Sequence, residues 1–386
     1  MESRLRVLEA LDTYLHGTEN WVYGLISNLP DTDVVIAAKY FLDCDFYTKD
    51  FEYLEFPLRK LTPKNKTLAS SAFNLFVAGV TRSLYIPYLE KRVRHVDLIH
   101  SHFAHIGWKY MSLAKKLEVP HIVSFYGTDY EHIPFVKRKW KKRYERLLRE
   151  ADMFLCEGNF GANVLQQMGC AKHKIAVQRL GVDVDTIPFY KREKKAEELN
   201  LLQIATLRPK KGHIYTIKAF VEALKSCPNM SLTFVGKDVE GVKGKLQTIV
   251  RRHNAQDKVT FLDQVDFSNL HVFMADYQVF IHPSCYTATR DCEGGAPVVF
   301  LDAQATGMPI IATTHCDIPE EVLHNQTGLL TPEKDIGGLV NSIKYFYELD
   351  QNNYDTFCAT ARTHISRNYD CKQNAKQLKK TYDSCM

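Results

Sequence analysis

The chain has 386 residues, 45% of them hydrophobic and 25% charged, with a formal net charge of +5. At roughly 150 residues per domain this is two to three domains, and the near-average composition excludes a disordered, collagen-like or disulfide-stapled chain. No run approaches the ~20 apolar residues that cross a bilayer, and Met1 to Leu8 lacks the apolar core of a signal peptide, so the expectation is a soluble, cytoplasmic, non-exported protein.

Strand and helix signals then alternate along the chain. Arg6–Leu11 reads as a strand, Asn20–Leu29 as a helix ended by Pro30, and Asp33–Ala38 as a strand. A helical tract over Phe73–Val93 precedes a strand at Val96–His100, a helix at Gly107–Leu117 and a strand at His121–Phe125. Phe135–Glu150 reads as one basic helix. After it come a strand at Met153–Cys156, a helix at Asn159–Met168 stopped by Gly169, and a strand at Ile175–Gln178. These make a first Rossmann-like domain, 1–186. Residues 187–200 are charged and nearly free of aliphatic side chains, as an exposed linker would be. Alternation resumes with strands at Leu201–Thr206, Ser231–Val235, Val259–Leu262, Val279–His282 and Pro309–Thr313. Helices fall at Ile214–Ala223 and Lys243–Arg252, and another lies between the last two strands. This is a second domain, 201–366, and residues 367–386 predict a helix packing back on the first. The fold class is therefore α/β, two Rossmann-like domains facing across a cleft, with ligands at the carboxyl ends of the strands.

The ten cysteines are scattered without a CxxC pair, which predicts free thiols and no zinc cluster. His100 and His102 share a strand face, with His105 nearby. With no carboxylate partner near them, they are expected to line the cleft and no metal site is expected. Between Lys137 and Arg149 there are eight basic residues and one acid, while Val136, Trp140, Tyr144, Leu147 and Leu148 recur at helical spacing. No nucleic-acid motif accompanies this run, so no nucleic-acid partner is expected. The basic face is either simply solvated or rests on an anionic membrane surface.

Two segments carry the chemistry. Asp291–Thr313 reads as glycine loop, helix and strand: Gly294 and Gly295 admit a close ligand, Ala296, Pro297 and Val298 open the helix, and Gly307 ends it. The free N–H groups of such a helix start suit a diphosphate. Glu293 stands at the mouth of this loop, and Asp302 lies nine positions on. Ala205–His213 sets Arg208, Lys210 and Lys211 beside Gly212, a clamp for the same anion.

From Leu201 to about Ser366 the chain resembles the nucleotide-binding domain of the GT-B-fold retaining glycosyltransferases of family 4. The shared anchors are Leu207–Gly212, Phe234–Gly236, Val279–Ser284, the Glu293 segment, Ile318–Val322 and Gly328–Leu330. The first half fits through Asp97–His102, Val123–Asp129 and Gly181–Asp183, and Thr18–Val22 is similar to the first loop of the colanic-acid/exopolysaccharide-type branch. The resemblance implies transfer of a sugar from a nucleotide-diphosphate sugar to an acceptor hydroxyl, with retention and no metal or other cofactor. A UDP-sugar is favoured, GDP stays open, and the products would be polysaccharide, glycolipid or other glycoconjugate. By that pattern Glu293 contacts donor-sugar hydroxyls, Asp302 the ribose and Lys211 the diphosphate, with Arg208, the Gly294–Val298 turn and Val265 completing the donor site. Asp129 is a third catalytic candidate or a turn cap. Glu19, Asn20, His102 and Tyr126 fall on the acceptor side. Three departures stand out. The Glu293–Asp302 spacing is one residue long and ends in Asp, Thr206 replaces a common Arg, and Tyr126 replaces a His. A nicotinamide oxidoreductase is disfavoured because no GxGxxG follows any strand. The alternative is a non-catalytic, nucleotide-sugar-binding relic of such a transferase.

Overall fold

A computed structural model describes residues 4–14, 20–42, 50–56 and 83–386. The first domain is a sheet of seven strands, β1 (Leu5–Ala10), β2 (Thr32–Ala38), β3 (Glu52–Glu55), β4 (Leu98–His102), β5 (His121–Ser124), β6 (Met153–Cys156) and β7 (Ile175–Val177). They lie in the order β3-β2-β1-β4-β5-β6-β7, parallel throughout. The second has six, β8 (Leu199–Ile204), β9 (Met230–Val235), β10 (Val259–Leu262), β11 (Val279–His282), β12 (Ile310–Thr313) and β13 (Gly328–Thr331). Their order is β10-β9-β8-β11-β12-β13, again all parallel. Central strands such as Val279–His282 are buried along their whole length, because helices cover both faces and every side chain must be tolerated inside.

Several elements differ from the sequence reading. Strands β3 and β13 went unread: Glu-Tyr-Leu-Glu carries too little apolar pattern, and Gly-Leu-Leu-Thr is too short to declare itself. The basic segment is two helices, His132–Val136 and Lys139–Glu150, because the chain leaves helical geometry at Lys137. The helical tract read from Phe73 lies outside the described residues up to 82, and residues 83–92 are helical. Arg192 and Lys194, expected to be exposed in the linker, are buried. Arg192 donates to the carbonyl and hydroxyl of Thr306 at 2.7 and 2.8 Å, and Lys194 to the Tyr347 carbonyl at 3.0 Å. Their charge served as a donor for helix-end carbonyls, which composition does not distinguish from solvation.

The chain returns to its first domain at the end. Helix Gln351–Asn368 breaks at Tyr369, Asp370 caps the next helix by accepting from the Gln373 N–H at 2.8 Å, and helix Cys371–Ser384 follows. That helix packs on helix Asn20–Ser27 and sends Ala375, Leu378 and Tyr382 into the core of the first domain. Burying a side chain the size of Leu378 contributes roughly 1.5–3 kcal/mol. The nine cysteines among the described residues are free thiols. Among the same residues no helix is long and apolar enough to cross a membrane.

Candidate active site

In a doubly wound sheet the crevice opens where the strand order reverses, over the carboxyl ends of the two neighbouring strands. In the second domain those strands are β8 and β11. The turn after β8 carries Lys211 and the loop after β11 carries Glu293. The two loops touch because Gly212, at φ 70°, has no side chain: a Cβ there would sit 1.9 Å from the Pro283 carbonyl oxygen. Lys211 Nζ donates to Glu293 Oε2 at 2.7 Å, and Ser284 Oγ donates to Oε1 at 2.8 Å. The backbone N–H of Glu293 donates to His315 Nε2 at 3.1 Å, while His315 Nδ1 reaches Glu333 at 2.7 Å, which fixes the ring with its proton on Nδ1. Lys210 Nζ donates to Asp291 at 3.2 Å and to the Cys292 carbonyl at 2.8 Å.

The electrostatics follow from burial, since the Glu293 and Lys211 side chains are 6% and 18% exposed. Burial alone would lift the Glu293 carboxyl, but Lys211 and Lys210 outweigh it and hold the group far below the usual carboxylate range. Burial pulls Lys211 down despite its carboxylate partner, whereas Glu293 and Asp291 keep Lys210 above its ordinary value against the same penalty. His282, 3.9 Å from Glu293, is fully buried with neither ring nitrogen hydrogen-bonded, and burial keeps it neutral.

The other donor-side residues distribute around this pair. Gly294 has φ 86°, and Ala296, Pro297 and Val298 lead into a short helix, Val299–Ala305. The N–H groups of Phe300 and Leu301 bond the Pro297 and Val298 carbonyls at 2.8 and 2.9 Å, so the first turn is wound tightly. Asp302 is buried and bonded through Oδ1 to His271 Nε2 at 2.8 Å, a partner with no sequence signal. Val265 packs at the edge of the cluster that holds Phe280 and Phe300. Arg208 sits apart on the rim, half exposed, with Nε 3.6 Å from Glu240.

The first domain closes over this site through the Gly127 backbone and the side chains of Tyr130 and Glu157. A Cβ on Gly127 would lie 2.5 Å from the Glu293 carbonyl oxygen, and one on Gly294 would lie 2.3 Å from Gly127 Cα. A Cβ on Gly295 would meet the Glu157 carboxylate. Asp129, two residues from Gly127, points inward: it is fully buried and accepts from the backbone N–H groups of Ala104 at 3.0 Å and Tyr126 at 3.2 Å. This is the cap of the short helix Gly127–Tyr130. Tyr126 rests on Trp21, ring centroids 4.5 Å apart, and its hydroxyl bonds His102 Nδ1 at 3.0 Å. Asn20 opens helix Asn20–Ser27, and Glu19 lies outside the described residues.

The premise that no carboxylate stands near the histidines is corrected. In the parallel register Glu9 of β1 lies opposite His100 of β4, and its Oε2 is 2.9 Å from His102 Nε2 and 3.1 Å from His100 Nδ1. Burial would raise the Glu9 carboxyl, yet His100 and His102 bring it down to about 2. Among the described residues these three could hold a metal ion. Each ring nitrogen already has a partner, however: His100 bonds Tyr382 Oη at 2.7 Å and Ser124 Oγ at 2.8 Å, and His102 bonds Tyr126 and Glu9. An ion would have to displace bonds that are already satisfied. A second seam between the domains is acidic. Asp317 and Glu320 accept from the N–H groups of Phe160 at 2.7 Å and Asn159 at 2.8 Å, capping helix Asn159–Gln167 from the opposite domain.

A family model described as glycosyl transferases group 1 matches residues 183–364, and one described as glycosyltransferase family 4 matches residues 17–186. The chain is 26% identical over 311 residues to WcaL of Escherichia coli K12, named for a glycosyltransferase of colanic acid biosynthesis, spanning 79% of this chain and 73% of that one. It is 27% identical to AmsK of Erwinia amylovora, an amylovoran biosynthesis glycosyltransferase, over 63% of this chain and 59% of its relative. Among solved structures, HepE of Anabaena in complex with UDP and glucose superposes with a TM-score of 0.75 at 16% identity, covering 98% of this chain and 100% of that one. A glycosyltransferase of Rickettsia africae gives 0.76 at 15% identity, covering 99% and 98%. At these identities the structures speak to the fold alone, and that fold is the two-domain GT-B arrangement.

Proposed function

Because the chain belongs to the group 1 glycosyltransferases of the GT-B fold, we propose that it transfers a sugar from a nucleotide-diphosphate sugar to an acceptor hydroxyl in the assembly of an exopolysaccharide or related glycoconjugate. The observation that carries this reading is the Lys211–Glu293 pair at the strand-order reversal, a cation and a carboxylate 2.7 Å apart. One ligand that needs both is a sugar diphosphate: its phosphates take the cation, and its hydroxyls donate to the carboxylate, which can only accept. As the anomeric C–O bond breaks, its electron pair passes to the departing phosphate oxygen, and Lys211 meets the charge that develops there. The acceptor oxygen bonds the anomeric carbon on the same face and gives its proton to that phosphate oxygen, so an α-linked donor yields an α-glycoside. Fixed cations perform this stabilisation without a metal. Asp302, oriented by His271, accepts from the ribose diol. A UDP-sugar is the favoured donor, supported by the UDP complex of a protein of the same fold.

A lipid-linked acceptor at an anionic membrane face belongs to the same reading. Phe135 and Val136 are 55% and 43% exposed beside the basic run that starts at Lys137. This lip touches the donor loop, through His132 to the Thr289 carbonyl at 2.9 Å and Arg290 to Glu131 at 2.8 Å, so a membrane under the lip lies beside the cleft.

The test is a thermal-shift screen against UDP, GDP, ADP, TDP and their sugars with and without EDTA, followed by nucleotide release and NMR of the product anomer. A nucleotide that binds the folded state raises the melting temperature by mass action. The reading expects one nucleotide class to do so, unaffected by EDTA and lost in Lys211→Ala, and an α-glycoside from an α-donor. Binding without turnover against any acceptor would leave a nucleotide-binding relic, and no binding at all would reject both.

A further inference from the structure

Glu9 sits in the central strand of the first sheet with no solvent exposure, and three groups surround its carboxylate. They are His102 Nε2 at 2.9 Å, His100 Nδ1 at 3.1 Å and Tyr382 Oη at 2.8 Å. A carboxylate accepts only, so Tyr382 and His102 donate to it, and because the Tyr382 proton is spent on Glu9 its oxygen accepts at 2.7 Å from His100 Nδ1, whose proton also faces Glu9. With its proton on Nε2, His102 accepts at Nδ1, and the Tyr126 hydroxyl donates to it at 3.0 Å. With its proton on Nδ1, His100 accepts at Nε2 from the Ser124 hydroxyl at 2.8 Å. Every proton is placed and the Glu9 carboxylate is fully engaged.

Both ends of this chain of bonds lie in the core of the first domain, but each is joined to the second by a different route. Tyr382 belongs to helix Cys371–Ser384, which continues from the second domain through the Tyr369–Asp370 turn. Tyr126 precedes Gly127, whose backbone abuts Glu293 and Gly294. The link therefore runs from Tyr382 through Glu9, His102 and Tyr126 to the donor loop. The Asp129 carboxylate shapes this turn by accepting from the Tyr126 N–H, and His132 and Glu131 tie the following segment to the donor loop, while the Tyr126 hydroxyl is what joins the turn to the buried bonds around Glu9.

Resting on the transferase reading above, we propose that Glu9, His102 and Tyr382 are positioning residues: through them the C-terminal helix holds the Tyr126–Gly127 turn against Glu293 and Gly294. They touch no substrate. Loosening them leaves the nucleotide site of the second domain whole while the closed geometry needed for transfer is held less often.

The experiment compares Tyr382→Phe and Glu9→Gln with the wild-type chain. Tyr110→Phe serves as a control, since it removes another buried phenol bond in the same domain, to Tyr85 at 2.9 Å. Nucleotide release is followed with the donor chosen by the thermal-shift screen, transfer to water included, alongside UDP affinity by calorimetry. Histidine-selective 15N spectra read the ring tautomers. Loss of one buried hydrogen bond predicts a roughly tenfold fall in kcat for Tyr382→Phe. UDP affinity should be unchanged in both variants, and Tyr110→Phe should lose melting temperature but not kcat. Wild-type spectra should show neutral His102 with its proton on Nε2. Variants as active as the wild type, or variants whose kcat, UDP affinity and melting temperature fall together, overturn the proposal, as does His102 carrying its proton on Nδ1. A wild-type chain that neither binds nor turns over any nucleotide sugar fails the transferase reading instead, and the spectra tell the two failures apart.

Discussion

Replacing Asp317 by Asn should stabilise the protein above neutral pH. Asp317 is 5% exposed at the acidic seam between the domains. Its Oδ1 accepts from the Phe160 N–H at 2.7 Å, and its Oδ2 has no hydrogen-bond partner. Glu157, Glu320 and Glu321 face the same space, with Arg179 as the cation, 3.4 Å from Glu320. Burial, opposed by the Phe160 bond and reinforced by Glu320, lifts the Asp317 carboxyl from 3.8 to about 7. A carboxyl whose pKa is higher folded than unfolded holds its proton better when folded. Its contribution is therefore full below pH 4 and is lost as pH rises towards 7. The span corresponds to an upper limit of ~4 kcal/mol, and about half that is expected because the N–H bond persists and the seam relaxes. Asn keeps the shape and the Oδ1 acceptor and removes the charge. Urea unfolding of both proteins between pH 4 and 8.5 should give curves that nearly coincide at pH 4, with the Asn variant ahead by ~2 kcal/mol at pH 8.5. A variant weakened equally at both ends would show that the carboxylate cap, not its buried charge, dominates, and would refute the reasoning.

Four further outcomes are expected. Glu293→Gln should fold, bind UDP and lose roughly 10²–10³ in kcat by nucleotide release, since it removes the carboxylate aimed at the reacting sugar. Gly294→Ala places a methyl where Gly127 sits, in a backbone conformation that side chains rarely adopt, so transfer should be lost with UDP binding retained, and small-angle scattering should report a larger radius. His271→Ala frees the Asp302 carboxylate and should weaken UDP about tenfold by calorimetry, the loss of one charge-assisted bond. Charge reversal at Lys141 and Lys142 should abolish co-sedimentation with anionic vesicles at low salt while leaving UDP affinity intact.

How much of this was legible depended on sequence distance. Glu293 and Lys211 declared themselves through glycine loops that follow strands, a local pattern that topology then brought together. Glu9 was silent because His100 lies 91 positions away, and their meeting needs both the strand order and the register. Asp129 stood in a suggestive segment, but its partners are the N–H groups of its own turn and of Ala104, so the local signal was that of a cap. The basic helix read through Lys137 because Val136 and Trp140 keep a four-residue spacing across the break. Arg192 shows the same limit in reverse, since a charge can be buried wherever helix-end carbonyls converge.

The return of helix Cys371–Ser384 to the first sheet also bears on how the protein is made. Strand β1 leaves the ribosome early, yet the partner of the Glu9 Oε1 atom is Tyr382. At ~5–20 residues per second, about 10–40 s separate the emergence of β7 from that of Tyr382. Through that interval the apolar side of helix Asn20–Ser27, including Val22 and Leu25, has no cover from Ala375, Leu378 and Tyr382. The first half of the nascent chain thus waits with an open flank for a segment encoded beyond the second half, whose own core is built from residues that all emerge before it.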